Sequence, residues 1–86
     1  MYAEEESIVL YFQEGSSDKV YKAFLEKVDV DLFVVNFAYG RRGKFLTTGS
    51  KTDQPVPYWR AKNIYDRLVK SKVRKGYNTV VPCDTL

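Results

Sequence analysis

Two groups of side chains in this sequence have types and spacing suited to chemistry. The first is the run "FAYGRRGKF" at 37–45, where an aromatic ring at Tyr39 is followed by Arg41, Arg42 and Lys44. The second is Arg60, Asn63, Arg67, Lys70 and Arg74, spaced i, i+3, i+7, i+10, i+14. On a helix that spacing is a single ridge, roughly 21 Å long at ~1.5 Å rise per residue. A flat π-surface can stack on a base or pack on a sugar, and guanidinium groups can fork onto phosphate oxygens. Both groups therefore suit binding of a polyanion.

Bond-making chemistry finds little support in these residues. There is no histidine, so the usual general base and commonest zinc ligand are missing. Cys83 is the one cysteine, which excludes an internal disulfide or a thiolate cluster. "GRRGKF" lacks the GxxxxGK[ST] spacing of a phosphate-cradling loop and joins two expected strands rather than a strand and a helix. No enzyme, metal site, cofactor or small-molecule substrate is expected from these residues.

Charge divides the chain. Residues 1–31 hold eight acids and three bases, net −5; residues 32–75 hold eleven bases and two acids, net +9. The overall charge of +3 hides that contrast, and the basic segment points to an anionic partner. The opening "MYAEEESIV" is acidic where a secretory signal would be basic, and no apolar run reaches membrane-spanning length. The expectation is a cytoplasmic protein with no membrane partner.

The elements that must position these residues follow from hydrophobic pattern. Eighty-six residues, 44% of them hydrophobic, suit one small domain. "SIVLYFQ" (7–13), "KVYKAFLEKV" (19–28), "LFVVNFAY" (32–39) and "KFLTTGSK" (44–51) read as four strands with short connections. In the second, Tyr21, Ala23 and Leu25 share one face. The third is apolar enough to be a central strand covered on most of both faces.

After "TDQPVP", Ala61, Ile64, Tyr65 and Leu68 recur at helical spacing from Tyr58 to about Lys75, with Gly76 as the residue that ends the helix. Lys72 falls on the apolar stripe and must snorkel at the helix end. The expected fold is α+β: an antiparallel four-stranded meander, or one slightly larger, with one C-terminal amphipathic helix packed on it. Residues 1–6 read as an acidic tail, 7–77 as the domain, and 78–86 as a tail or the start of a linker.

Three blocks, "VLYFQEGSSDKVYKAFLE", "LFVVNFAYGRRGKF" and "AKNIYDRLVKSKVRKGY", together resemble the WGR domain, named for Trp-Gly-Arg. That family occurs in poly(ADP-ribose) polymerases and in bacterial proteins, including MolR-like and ligase-associated ones. Its motif falls on Tyr39, Gly40 and Arg41, with Tyr in place of Trp, and its closing element on Lys75, Gly76 and Tyr77. The resemblance implies a sheet with one helix, Tyr39 packing against the sugar-phosphate end of a DNA break, and Arg41 contacting phosphate or a partner. Tyr21 and Tyr77 are expected to pack in the core.

The function these readings favour is a non-catalytic module binding DNA ends or backbone. Its candidate nucleic-acid-binding residues are Tyr39, Gly40, Arg41, Arg42, Lys44, Arg60, Arg67, Lys70 and Arg74. The alternative is a protein-interaction module offering the same basic surface to an acidic protein partner or a downstream domain.

Overall fold

A computed structural model describes residues 4–82. Four strands, β1 (Glu6–Glu14), β2 (Ser17–Asp29), β3 (Leu32–Arg41) and β4 (Thr47–Ser50), form one antiparallel sheet in the order β1-β2-β3-β4. Helix α1 (Tyr58–Arg74) packs against β2 and β3. This is the α+β meander with one C-terminal helix that the periodicity predicts.

Strand alternation decides what faces the helix. In the β2–β3 register, Tyr21 opposes Tyr39, Ala23 opposes Phe37 and Leu25 opposes Val35. Leu10, Tyr21, Ala23, Leu25, Phe33 and Val35 join Ala61, Tyr65 and Leu68 of α1 in one buried cluster, with Ile64 partly buried against it. The stripe read at 100° per residue is thus the face that docks. Only one face of β3 is covered in this way. Val34 and Asn36, on the face away from α1, are half-buried, because a chain with one helix cannot cover both sides of its sheet.

Both sheet edges are closed in part by backbone from outside the strands. Tyr11 of β1 exchanges hydrogen bonds with Asn78 at 2.7 and 2.9 Å. Phe33, beyond the end of the short β4, does the same with Val56. Each pairing satisfies donors and acceptors that a bare edge would offer to other chains.

The end of α1 is a Schellman cap. The Gly76 amide donates to the Val73 carbonyl and the Tyr77 amide to the Lys72 carbonyl. Gly76 takes φ +107, a conformation that side-chain-bearing residues rarely adopt. The turn delivers Tyr77 back to the sheet, where its ring meets Phe12 at 5.4 Å and Tyr21 at 6.3 Å.

The fourth strand is shorter than expected. β3 continues to Arg41 by pairing with Lys19, but its β4 ladder starts at Tyr39–Thr47, so residues 44–46 belong to a loop. The cause is local: the Lys44 amide donates to the Arg41 carbonyl, closing a turn with Gly43 at φ +85. At the other end of the chain, Glu6 is already part of β1, and Glu4 pairs with Lys27 at 3.0 Å. Cys83 and Asp84 lie outside the described residues.

Candidate nucleic-acid interface

Three aromatic rings form a triangular cluster on the helix-facing side of the sheet at its hairpin end. Tyr21 stacks on Tyr39 at 6.0 Å between centroids with 15° between planes, and on Phe37 at 5.9 Å with the same tilt. Phe37 and Tyr39 are 6.0 Å apart. Tyr21 is buried at 5% exposure while Tyr39 is 43% exposed. Tyr39 is therefore held from behind by the cluster and open in front.

Three features position that ring. Strand alternation places residues 37 and 39 on the same face as Tyr21. Tyr77, returned by the Schellman turn, buttresses Tyr21 at its edge. Gly49, the register partner of Phe37, leaves room for the Phe37 ring, because a Cβ there would lie 2.5 Å from Phe37 Cζ.

The basic residues of the hairpin divide by role. Arg42 is engaged by the acidic half of the chain: its Nε and Nη2 bond both carboxylate oxygens of Asp18 at 2.8 and 2.9 Å. The Arg42 amide also bonds the Asp18 carbonyl. The Arg42 hydrogen bond is the main reason the Asp18 carboxyl sits below its usual range, with the nearby Arg41 charge adding to the effect. Arg42 anchors the loop on β2. Arg41 and Lys44 are exposed, and no ion pair among the described residues includes them.

The helix ridge is equally open. Arg60, Asn63, Arg67, Lys70 and Arg74 are all exposed, with Arg67 at the border of the core face beside Ile64 and Leu68. The ridge and the hairpin share only one pole of the molecule. Tyr58, beside Arg60, packs on Phe33 at the start of β3 (ring centroids 5.2 Å apart). Lys72, next to Arg74, lies over Tyr21 at the end that carries Tyr39. Arg60 consequently stands far from the hairpin while Lys70 and Arg74 approach it.

Sequence reading did not single out several residues that border this surface. Phe45, just past the turn, is fully exposed at 102% beside Lys44. The sequence pattern puts Phe45 in the returning strand, whereas the turn at 41–44 puts it in a loop, and no local pattern signals that shift. Lys51 reaches over Phe37 at 5.4 Å, and Lys72 over Tyr21 at 4.5 Å. Lys72 betrays itself in the sequence by standing on the apolar stripe; the position of Lys51 depends on where β4 ends. Among the described residues no group of three or more His, Cys, Asp or Glu side chains could hold a metal ion.

The chain matches no known protein-family model, no curated protein and no solved structure. The geometry alone defines its class: a small α+β sheet-and-helix domain with an aromatic and cationic pole. No helix among the described residues is long and apolar enough to cross a membrane.

Proposed function

We propose that this chain is a WGR-like, non-catalytic module that binds DNA through its backbone and broken ends. The observation that carries this reading is the exposed face of Tyr39. That ring is backed by Tyr21 and flanked by Arg41 and Lys44, whose charges no carboxylate of the described residues neutralises through an ion pair.

An aromatic platform supported from behind stacks at low entropic cost, since its rotamer is set before binding. Stacking on an unpaired base contributes about 1–3 kcal/mol and does not depend on base identity. The lysines and arginines of the pole then supply attraction to phosphates, which orients a strand without reading its sequence. Arg67, Lys70 and Arg74 extend the charge along α1, and Gly40 carries the chain from Tyr39 to Arg41.

An NMR titration of the chain with intact duplex, nicked duplex, single-stranded DNA and an acidic peptide tests the proposal. Perturbations centred on Tyr39, Arg41 and Lys44, larger for nicked and single-stranded DNA than for intact duplex, are expected. With four or five phosphates neutralised, log K is expected to fall against log salt with a slope of about −4. Binding of the peptide with no response to any DNA would replace this reading with that of a protein-interaction module.

A further inference from the structure

Two lysines that border the interface, Lys51 and Lys72, reach the aromatic cluster from the helix side. Lys72, in the last turn of α1, holds Nζ 4.5 Å from the centroid of Tyr21. Lys51, the residue after β4, holds Nζ 5.4 Å from Phe37. Those two rings are 5.9 Å apart, so the amines approach neighbouring members of one stack. Lys75, the C-cap residue of α1, stands near enough for its charge to act on the Lys72 amine. A groove of about 290 Å³ opens beside them, lined by Lys51, Arg67 and Ser71 together with the apolar Ile64 and Leu68.

Lys27, Arg42 and Lys62 each have a carboxylate partner, whereas no ion pair among the described residues includes Lys51, Lys72 or Lys75. Burial pushes the Lys72 amine below the usual lysine range, and the charges of Lys75 and Lys51 push the same way. Like charges gathered at a partly buried position oppose folding, and an anion placed among them would remove that opposition. The ring faces attract the amines but cannot neutralise them. A phosphate group has the charge and the acceptor oxygens to bond more than one amine at once.

We infer that Lys51, Lys72 and Lys75 form a seat for one phosphate group at the groove between the end of β4 and α1, with the attached nucleoside lying on Tyr39. This inference rests on the nucleic-acid reading and adds to it a defined phosphate contact, separate from Arg41 and Lys44. Its phosphate can belong to the interior of a strand, to a strand terminus or to a free anion.

The test uses the full chain with isotope-labelled lysine side chains at low ionic strength. The probes are inorganic phosphate, a short single-stranded oligonucleotide, and the same oligonucleotide with a terminal phosphate. Early movement of the Lys51 and Lys72 side-chain signals is expected with the oligonucleotides, together with a rise in the Lys72 pKa. Equal responses to both oligonucleotides identify an internal phosphodiester, and a stronger response to the phosphorylated one identifies a terminus. Lys51→Gln and Lys72→Gln are each expected to weaken oligonucleotide binding about tenfold. Lys72→Arg is expected to retain binding, and Lys22→Gln, on the face of the sheet away from α1, to change it little.

Oligonucleotide binding that leaves the Lys51 and Lys72 signals unmoved and survives both Gln variants overturns the seat while sparing the nucleic-acid reading. A response of these lysines to inorganic phosphate without any oligonucleotide binding keeps the phosphate seat and overturns the nucleic-acid reading. No response to any probe overturns both.

Discussion

Gly49 of β4 lies directly against the ring of Phe37, its register partner on β3. A methyl group at position 49 would meet the ring at 2.5 Å, well inside van der Waals contact. Gly49→Ala is therefore expected to push Phe37 out of its stack with Tyr21 and Tyr39. Overpacking of this kind costs about 1–3 kcal/mol, readable as a lowered denaturant midpoint. Ring-current shifts of Tyr21 and Tyr39 protons report the displaced ring independently. Unchanged shifts and an unchanged midpoint would show that Phe37 yields without disturbing the platform.

Leu68 tests how the helix docks. It is 7% exposed in the cluster that joins α1 to the sheet. Leu68→Ala is expected to cost about 2–5 kcal/mol, a large share of the stability of so small a domain. An unaltered midpoint in equilibrium denaturation would show that this side chain does not bind α1 to the sheet.

Tyr39 separates packing from binding. Removing a ring with one open face forfeits part of a stacking interaction, about 0.5–1.5 kcal/mol, so Tyr39→Ala is expected to remain folded. Its affinity for nicked and single-stranded DNA is expected to drop about tenfold or more, with intact duplex little affected. Tyr39→Trp is expected to keep or raise that affinity through its larger ring system. Thermal unfolding and DNA binding measured on the same proteins distinguish the two roles.

The two arginines of the hairpin are expected to behave differently. Arg41 makes no ion pair among the described residues, so Arg41→Gln is expected to flatten the salt slope by about one unit. Arg42 is bound to Asp18 through two hydrogen bonds, so Arg42→Gln acts mainly by loosening the turn. Salt-dependence series on both variants check the difference. Equal slopes would mean that Arg42 releases Asp18 to engage phosphate.

The same pair sets an acid limit. Arg42 holds the folded-state pKa of Asp18 below its reference of 3.8. Such a carboxylate contributes stability that is present above the unfolded pKa and lost as pH falls through the lower folded value. The stability difference between the wild type and Asp18→Asn is therefore expected to be constant above about pH 5 and to shrink as pH drops below the reference. A difference independent of pH across that range would show that the carboxylate charge contributes nothing to the fold.

Local pattern determined much of this protein. The alternation through Tyr21, Ala23 and Leu25 and the stripe Ala61, Ile64, Tyr65, Leu68 fix which faces are apolar. Gly76 marks the helix end because only the local backbone is involved. Such features depend on residues within a turn or two of each other, and amino-acid types report them directly. The same is true of the Tyr39, Arg41 and Lys44 cluster, which is contiguous in the chain.

Tertiary structure decided what contiguity cannot express. Arg42 reads like Arg41 in sequence, but the β2–β3 register brings it to Asp18, 24 residues away. Lys72 meets Tyr21 only because α1 folds back across β2 and β3, and Lys51 meets Phe37 only because β4 pairs with β3. Phe45 left its expected strand because one turn hydrogen bond, from Lys44 to Arg41, closes the chain before β4 begins. Whether a charge is paired, or a ring open to solvent, depends on which distant segment arrives beside it. That is settled by strand register and helix docking, which the sequence encodes only through the packing of the whole chain.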